Sequence, residues 1–307
     1  MTNRVAIIVG SGGQDGQLLH SHLLALGYSV IGLTRENFDI LSANFVSKLV
    51  SESQPAEVYY LAAYHHSSED AIIDNAALFH KSFNVHVHGL VNFLDAIAKY
   101  STRSRLFYAS SSLIFGNPQD EIQTELSKLN PENPYAISKV AGMMACRFYR
   151  EHKGVFASCG ILYNHESSLR SPRFVTQKII QAAVKIFKEG GGSLTLGDLD
   201  VYVDWGYAPD YVNAMTLILS LSEPNDFIVA TGEAHSIREF AELSFKHVGL
   251  DYRDFVKSNS NVLTRSNSRR VGNPFFIKTK TGWRPSVSLD NMVALMMEDE
   301  LKKYSTM

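Results

Sequence analysis

Cysteine is nearly missing from this chain: Cys146 and Cys159 are the only two in 307 residues. So few exclude a disulfide framework and a thiolate metal centre, and each reads as a small buried hydrophobe. The pairs His65–His66 and His86–His88 lack an accompanying Cys or carboxylate cluster at ligand spacing, so no metal is expected. Charge of one sign is missing too, since 29 basic residues face 31 acidic ones for a formal net charge of −2. With no long basic run, neither nucleic acid nor an anionic membrane surface is an expected partner. No apolar stretch is long enough to span a bilayer. The first ten residues run straight into an apolar, strand-like segment and leave no room for a signal peptide, so a cytoplasmic location is expected. Repeats, linkers and low-complexity tracts are also absent. What remains is a chain with 45% hydrophobic residues, ample for a sizeable core.

The most informative segment is Tyr135-Ala-Ile-Ser-Lys139, together with Ser110-Ser111-Ser112. A tyrosine and a lysine four apart on a helix project from one face. The lysine charge favours phenolate over phenol, so the tyrosine can give or take a proton near neutral pH. A serine hydroxyl at a strand end can hold a substrate oxygen beside it. Such a set suits carbonyl–alcohol chemistry if a hydride carrier is bound.

A site for that carrier is legible. Residues 4–9 form an apolar, branched run typical of a buried parallel strand. Gly10-Ser11-Gly12-Gly13-Gln14-Asp15-Gly16 follows, then leucines at helical spacing. Gly10, Gly13 and Gly16 allow a tight turn and let the backbone approach a pyrophosphate at a helix N-terminus. The motif alone is weak, and its place between strand and helix makes it strong. An ordinary tight turn is the lesser reading.

Strands are expected at 4–9, 28–33, 57–62, 104–109, 155–162 and 226–230. Helices are expected at 14–26, 42–53, 74–100 with a break, 135–152, 172–189, 210–221, 236–248 and 289–304, with Pro172 starting one of them. A further short strand fits 193–197, and 257–274 reads as a polar loop over a ligand. The alternation predicts an α/β fold: a Rossmann-type doubly wound parallel sheet with a smaller C-terminal substrate-binding α/β domain. The expected division is 1–163 for the dinucleotide, with returning segments near 198–245, and 164–197 plus 246–307 for the substrate.

Glycine turn, serine triplet and Tyr-x-x-x-Lys in this order resemble the extended short-chain dehydrogenase/reductase superfamily. Four stretches narrow the resemblance to GDP-mannose 4,6-dehydratases and GDP-4-keto-6-deoxymannose reductases. They are Gly13-Gln14-Asp15-Gly16, Asn164-His165-Glu166-Ser167, Phe174-Val175-Thr176-Gln177-Lys178, and Leu196-Gly197-Asp198-Leu199-Asp200 with Asp204-Trp205-Gly206. Gly282-Trp283-Arg284-Pro285 is also common in that group.

The second strand ends Gly32-Leu33-Thr34-Arg35, where an NAD enzyme usually carries an acidic residue for the ribose 2′-hydroxyl. An arginine fork suits a 2′-phosphate, so NADP(H) is favoured over NAD(H). The other reading makes Arg35 a solvated charge and gives the ribose to Glu36. The resemblance implies that Asp39, beside Ile40, reads the adenine amine, that Leu61-Ala62-Ala63 underlies the nicotinamide half, and that Asn84 supports the central helix. It further implies that Asn164, Val175, Lys178, Leu196 and Gly197 hold the nucleotide diphosphate and base, with Ser112 on the substrate side of the triplet. Without the resemblance, Lys178 would read as a surface charge. Relatives carry an arginine just before Asp204, whereas this chain has Val203; Arg265, Arg269 or Arg270 is the expected replacement. His65 and Arg170 face either the sugar or solvent. Helices at 81–100 and 135–151 resemble the pair that forms a dimer interface in the superfamily, so a homodimer is expected.

Position 113 separates the reactions. In the dehydratases the segment reads Ser-Thr-Ser-Glu, and that glutamate removes the C5 proton after oxidation at C4. Here it is Ser110-Ser111-Ser112-Leu113. A missing acid–base group costs roughly 10²–10⁴-fold. Asp120, Glu121 and Glu125 follow, at a spacing that is not the family's. The long arginine-rich insertion of the dehydratases after the second strand is absent as well. The preferred reading is an NADPH-dependent 4-ketoreductase of a nucleoside-diphosphate sugar, with Ser111, Tyr135 and Lys139 as catalytic set. A 4,6-dehydratase with another acid, a 4-epimerase or 4-dehydrogenase, and a non-catalytic NADP-binding regulator stay open.

Overall fold

The computed structural model describes residues 4–64, 74–259 and 269–305. Six parallel strands form its central sheet, in the order Asp226–Val229, Phe156–Leu162, Arg105–Ser111, Glu57–Tyr60, Val5–Val9, Ser29–Leu33. The expected Rossmann-type fold is therefore observed. The strands are apolar on both faces because helices cover both faces. On one side Val46, Leu90, Phe93, Ile97, Met143 and Cys146 pack from the helices Ala43–Ser53, Gly89–Tyr100 and Pro134–Lys153. On the other, Leu19, Leu23, Tyr211, Met215 and Ile277 come from Gln14–Ala25, Ala208–Ser220 and Phe275–Thr281. Both cysteines are free and buried, as expected. No helix among the described residues is long and apolar enough to cross a membrane.

A third apolar cluster lies away from the sheet. Ile180, Val184, Phe240, Phe245, Met292 and Met296 bring together the helices Val175–Glu189, Ile237–His247 and Leu289–Ser305. Short strand pairs rim it: Leu194–Leu196 with Val256–Ser258, and Tyr202–Val203 with His235–Ser236.

Strand order reverses at Val5–Val9, which pairs with Ser29–Leu33 on one side and Glu57–Tyr60 on the other. A crevice opens at the carboxyl ends of strands on either side of such a switch, and ligands bind there in open α/β sheets. The glycine turn and Leu61-Ala62-Ala63 both leave the sheet at that point.

Three expectations change. The helix at 175–189 does not start at Pro172, because Ser171 to Phe174 forms a turn, with the Phe174 N–H on the Ser171 carbonyl at 3.1 Å. The expected break within 74–100 is a single π turn, Asn84–His88, joining Asn75–Phe83 to Gly89–Tyr100. The 257–274 segment is not all loop: Val256–Ser258 and Val271–Gly272 are strands at its two ends, and the latter pairs with Ile122–Gln123.

Candidate active site

The site starts at the turn after the first strand. Gly10 has φ +95°, and a Cβ there would come within 2.8 Å of the Ala62 nitrogen. A Cβ on Gly16 would overlap the Gly10 carbonyl. Both positions need glycine for the backbone to pass so closely. The helix Gln14–Ala25 begins at Gly13 with no side-chain cap. Its first N–H groups thus present an uncapped, electropositive end, which fits a dinucleotide pyrophosphate.

Gln14 and Asp15 begin that helix, but their side chains serve another partner. Gln14 Nε2 donates to the His165 carbonyl at 3.1 Å, and Gln14 Oε1 accepts from Ser167 at 2.9 Å. Asp15 Oδ2 lies 2.9 Å from His165 Nε2, and His165 Nδ1 lies 2.7 Å from the Tyr163 carbonyl. His165 also stacks on Tyr211, with ring centroids 4.5 Å apart. Burial opposes both charges, yet the pair prevails: the Asp15 pKa is lowered and the His165 pKa raised by their mutual attraction and hydrogen bond. Two motifs 150 residues apart are thereby clamped together.

Arg35 is exposed and lines an open groove of about 510 Å³ with Asp39, Phe45 and Lys48. The turn beneath is fixed by Asn37, whose Nδ2 donates to the Gly32 carbonyl at 3.1 Å and whose Oδ1 accepts the Thr34 N–H at 2.7 Å. Asp39 is exposed and accepts the Leu41 N–H at 2.9 Å. Ile40 is anchored through its carbonyl to Asn92 at 2.9 Å. Leu61 continues the sheet, with its N–H on the Val9 carbonyl at 2.9 Å, and Ala62 and Ala63 follow under the glycine turn.

Ser111 ends the strand Arg105–Ser111, and its hydroxyl accepts the Leu113 N–H at 3.3 Å. Ser110 points away, donating to Met143 Sδ at 2.9 Å, and Ser112 is buried. Tyr135 and Lys139 lie one turn apart on Pro134–Lys153, a helix capped by Asn133 and started by Pro134. Lys139 is 1% exposed, and its Nζ donates to the Ala109 carbonyl at 2.6 Å on the strand that carries Ser111. The ammonium sits 5.6 Å from the Tyr135 ring centre and 5.0 Å from that of Tyr108. Among the described residues no carboxylate pairs with it, and burial pushes its pKa down to about 7.

Leu113 is half-buried and lies second in the short 3₁₀ turn Ser112–Phe115. Of the acids that follow, Glu125 is turned to the sheet edge, where its carboxylate accepts the Ile228 N–H at 2.9 Å. Burial raises the Glu125 pKa, partly offset by that bond. Glu121 is exposed.

Asn164 begins a short strand beside Trp205, and Val175 begins the helix that also carries Lys178. Leu196 is buried in the third cluster, and the Gly197 carbonyl accepts from Ser258 at 2.9 Å. Val203 holds its place by packing, adjacent in register to Arg270, whose Nη1 donates to the Gly116 carbonyl at 2.8 Å. Arg269 is exposed, its guanidinium 5.4 Å from the Tyr202 ring centre. Arg170 is not a solvent charge: it pairs with buried Glu166 at 3.1 Å and covers the Phe174 ring at 3.5 Å. Asn84 bonds His88 at 3.0 Å within the π turn. His65 and Arg265 lie outside the described residues.

Sequence reasoning missed the Asp15–His165 pair, the buried His86 beside Tyr135, and the engagement of Glu125 by the sheet. Asp15 and His165 each stood inside a quoted motif. Nothing in the sequence links the two, since each has polar neighbours and they lie 150 residues apart.

With this geometry in hand, comparison with known proteins places the chain. The family model for GDP-mannose 4,6 dehydratase matches residues 36–296. GDP-mannose 4,6 dehydratase 2 of Arabidopsis thaliana is 33% identical, over 97% of this chain and 87% of the relative. GDP-mannose 4,6-dehydratase of Vibrio cholerae is 30% identical, over 99% and 95%. Among solved structures, RMD from Pseudomonas aeruginosa complexed with NADPH superposes with a TM-score of 0.84 at 22% identity, covering 98% of this chain and all of that one.

Proposed function

The chain belongs to the GDP-mannose 4,6-dehydratase family, nucleotide-sugar enzymes of the short-chain dehydrogenase/reductase type, and from that premise we propose that it is an NADPH-dependent 4-ketoreductase of a GDP-linked deoxy sugar. When bound, the reduced nicotinamide supplies the hydride for C4. The chain's own residues do the rest. The turn at Gly10, Gly13 and Gly16, with the N–H groups of Gln14 and Asp15, holds the pyrophosphate. Arg35 takes the 2′-phosphate, Asp39 the adenine, and Leu61-Ala62-Ala63 forms the floor under the nicotinamide. Tyr135 protonates the developing alkoxide, Ser111 hydrogen-bonds that oxygen, and Lys139 binds the ribose and tunes Tyr135. Asn164, Val175, Lys178, Leu196 and Gly197 hold the nucleotide, with Arg265, Arg269 or Arg270 as the cation in place of the one missing at Val203. In this reading the segments 164–197 and 246–307 serve the sugar nucleotide, and two chains pair through the helices near 81–100 and 135–151.

The single observation that carries the reductase reading is Leu113, an alkyl side chain at the position of the C5 base. The engagement of Glu125 by Ile228 removes the best-buried substitute. A dehydratase is the second reading, favoured by relatives that bear that name at 30–33% identity. Purified protein is incubated with GDP-mannose and, separately, with its 4-keto-6-deoxy derivative plus NADPH. Consumption of NADPH in the second reaction alone is expected. Formation of a 4-keto-6-deoxy sugar from GDP-mannose contradicts the reading, as does inertness in both.

A further inference from the structure

His86 is fully buried in the π turn Asn84–His88. A π turn inserts one residue and re-aims side chains relative to the straight helix. Here it brings inward an imidazole with both nitrogens engaged. Nε2 receives the Tyr64 backbone N–H at 2.9 Å. A backbone N–H can only donate, so Nε2 is an acceptor and the ring proton sits on Nδ1. Nδ1 lies 2.7 Å from Ser138 Oγ, and the Ser138 hydroxyl donates to the Tyr135 carbonyl at 2.8 Å. The His86 ring also meets the Tyr135 ring edge-on, with centroids 5.1 Å apart and planes at 86°. The His86 carbonyl accepts from Tyr108 at 3.3 Å, and Tyr108 and Tyr135 flank the Lys139 ammonium.

A buried polar ring left unbonded is destabilising, so a histidine is tolerated there because each nitrogen has its partner. Those partners are the chain leaving the third strand and the catalytic helix. We propose that His86 is a positioning residue, which holds Tyr135 at its distance from Lys139 and ties that geometry to the chain at Tyr64. This rests on the reading of Tyr135 as proton donor. Proton donors work only when held within a fraction of an ångström of the productive place. Of the titratable groups, His86 meets the Tyr135 ring and Lys139 lies over it, Tyr108 stands on the other side of Lys139, and Lys81 lies over the Tyr64 ring.

The test follows the Tyr135 side chain directly. Full-length protein carrying ¹³Cζ-tyrosine is saturated with NADP⁺ and titrated by NMR, and Tyr135→Phe identifies the resonance. His86→Phe keeps an aromatic ring and removes both hydrogen bonds; Ser138→Ala removes only the middle link. In His86→Phe the Tyr135 midpoint is expected to rise by about one pH unit, tenfold less phenolate, because the phenolate loses its placement by Lys139. Ser138→Ala should move it the same way by less, while NADPH affinity and cooperative melting stay within about twofold of wild type. His86→Asn, whose amide still donates to Ser138, should fall between wild type and His86→Phe. If His86→Phe fails to fold, Ser138→Ala decides. Unchanged midpoints in the folded variants, with a normal wild-type titration, overturn the positioning role alone. A wild-type Tyr135 that does not titrate up to about pH 10 overturns the tuning of Tyr135 by Lys139 on which the proposed mechanism rests, and the positioning role with it.

Discussion

The two ends of the site are built differently. Around half-buried Tyr135 the supporting side chains are buried and bonded: Lys139 to the Ala109 carbonyl, His86 to Tyr64 and Ser138, Ser138 to Tyr135. At the other end the chain offers exposed cations on surface segments, Arg35 beside an open groove and Arg269 over Tyr202. Chemistry needs a fixed geometry, and burial in a low dielectric enlarges every polar interaction there. Recognition of phosphates tolerates movement, because Coulomb attraction varies slowly with distance. Substitutions at the first end should therefore cost rate, and those at the second should cost affinity.

The largest effect is expected at the buried end. Tyr135→Phe should lose turnover by about 10²-fold or more while keeping the fold and NADPH binding. Steady-state rates on purified protein check this, and near-normal turnover would erase the contrast between the two ends.

Lys139 gives a thermodynamic version of the same contrast. Its pKa near 7 in the folded protein lies below the ordinary value of 10.5. Between those values the unfolded chain binds the extra proton, so stability of the cofactor-free protein should rise with pH, by at most about 1.4 kcal/mol per unit. Below about pH 7 the cost of burying the charge is fully present and the contribution is flat. Lys139→Met should abolish that part of the slope and melt higher at neutral pH. Parallel pH–stability curves for the two proteins would show that Lys139 is not held uncompensated.

A smaller effect is expected at the exposed end. Arg35→Ala should weaken NADPH binding by about tenfold, the weight of one charge-assisted hydrogen bond, and leave NADH binding nearly unchanged. Fluorescence titration with both cofactors measures it, and an unchanged preference would return Arg35 to solvent.

Much of the fold was legible in the sequence for a local reason. Each long element carries its own period and its own stops: Gly154 and Gly190 end their helices in the left-handed region, and Asn133-Pro134 starts the one that carries Tyr135 and Lys139. Strand ends moved by only a residue or two, as with Arg105–Ser111 against an expected 104–109. Two- and three-residue strands such as Ile122–Gln123 and Val271–Gly272 show no period, because their partners supply the structure. The helix Phe275–Thr281 is too short for a pattern and forms by packing Ile277 under the sheet. In the candidate site, Tyr135 and Lys139 could be read as a pair because one helix turn separates them, whereas their approach to the strand of Ser111, seen in the bond from Lys139 to the Ala109 carbonyl, is tertiary. His86 was not, since nothing in Asn84-Val85-His86-Val87-His88 announces a π turn. The Asp15–His165 clamp depends on tertiary structure alone.

The central proposal is that Leu113 leaves C5 of the sugar without its base, which would make the chain a C4 reductase that does not eliminate water. The most direct measurement is mass spectrometry of a GDP-linked 4-keto-6-deoxy sugar incubated with wild-type protein and NADP⁺ in deuterated water. Because Leu113 cannot transfer a proton, no deuterium should enter at C5 beyond the uncatalysed rate, while the same preparation oxidises NADPH with that sugar. Enzyme-dependent deuteration at C5 would mean that another group, Glu121 or Glu125 among the candidates, has taken the base's place, and the dehydratase reading would stand instead.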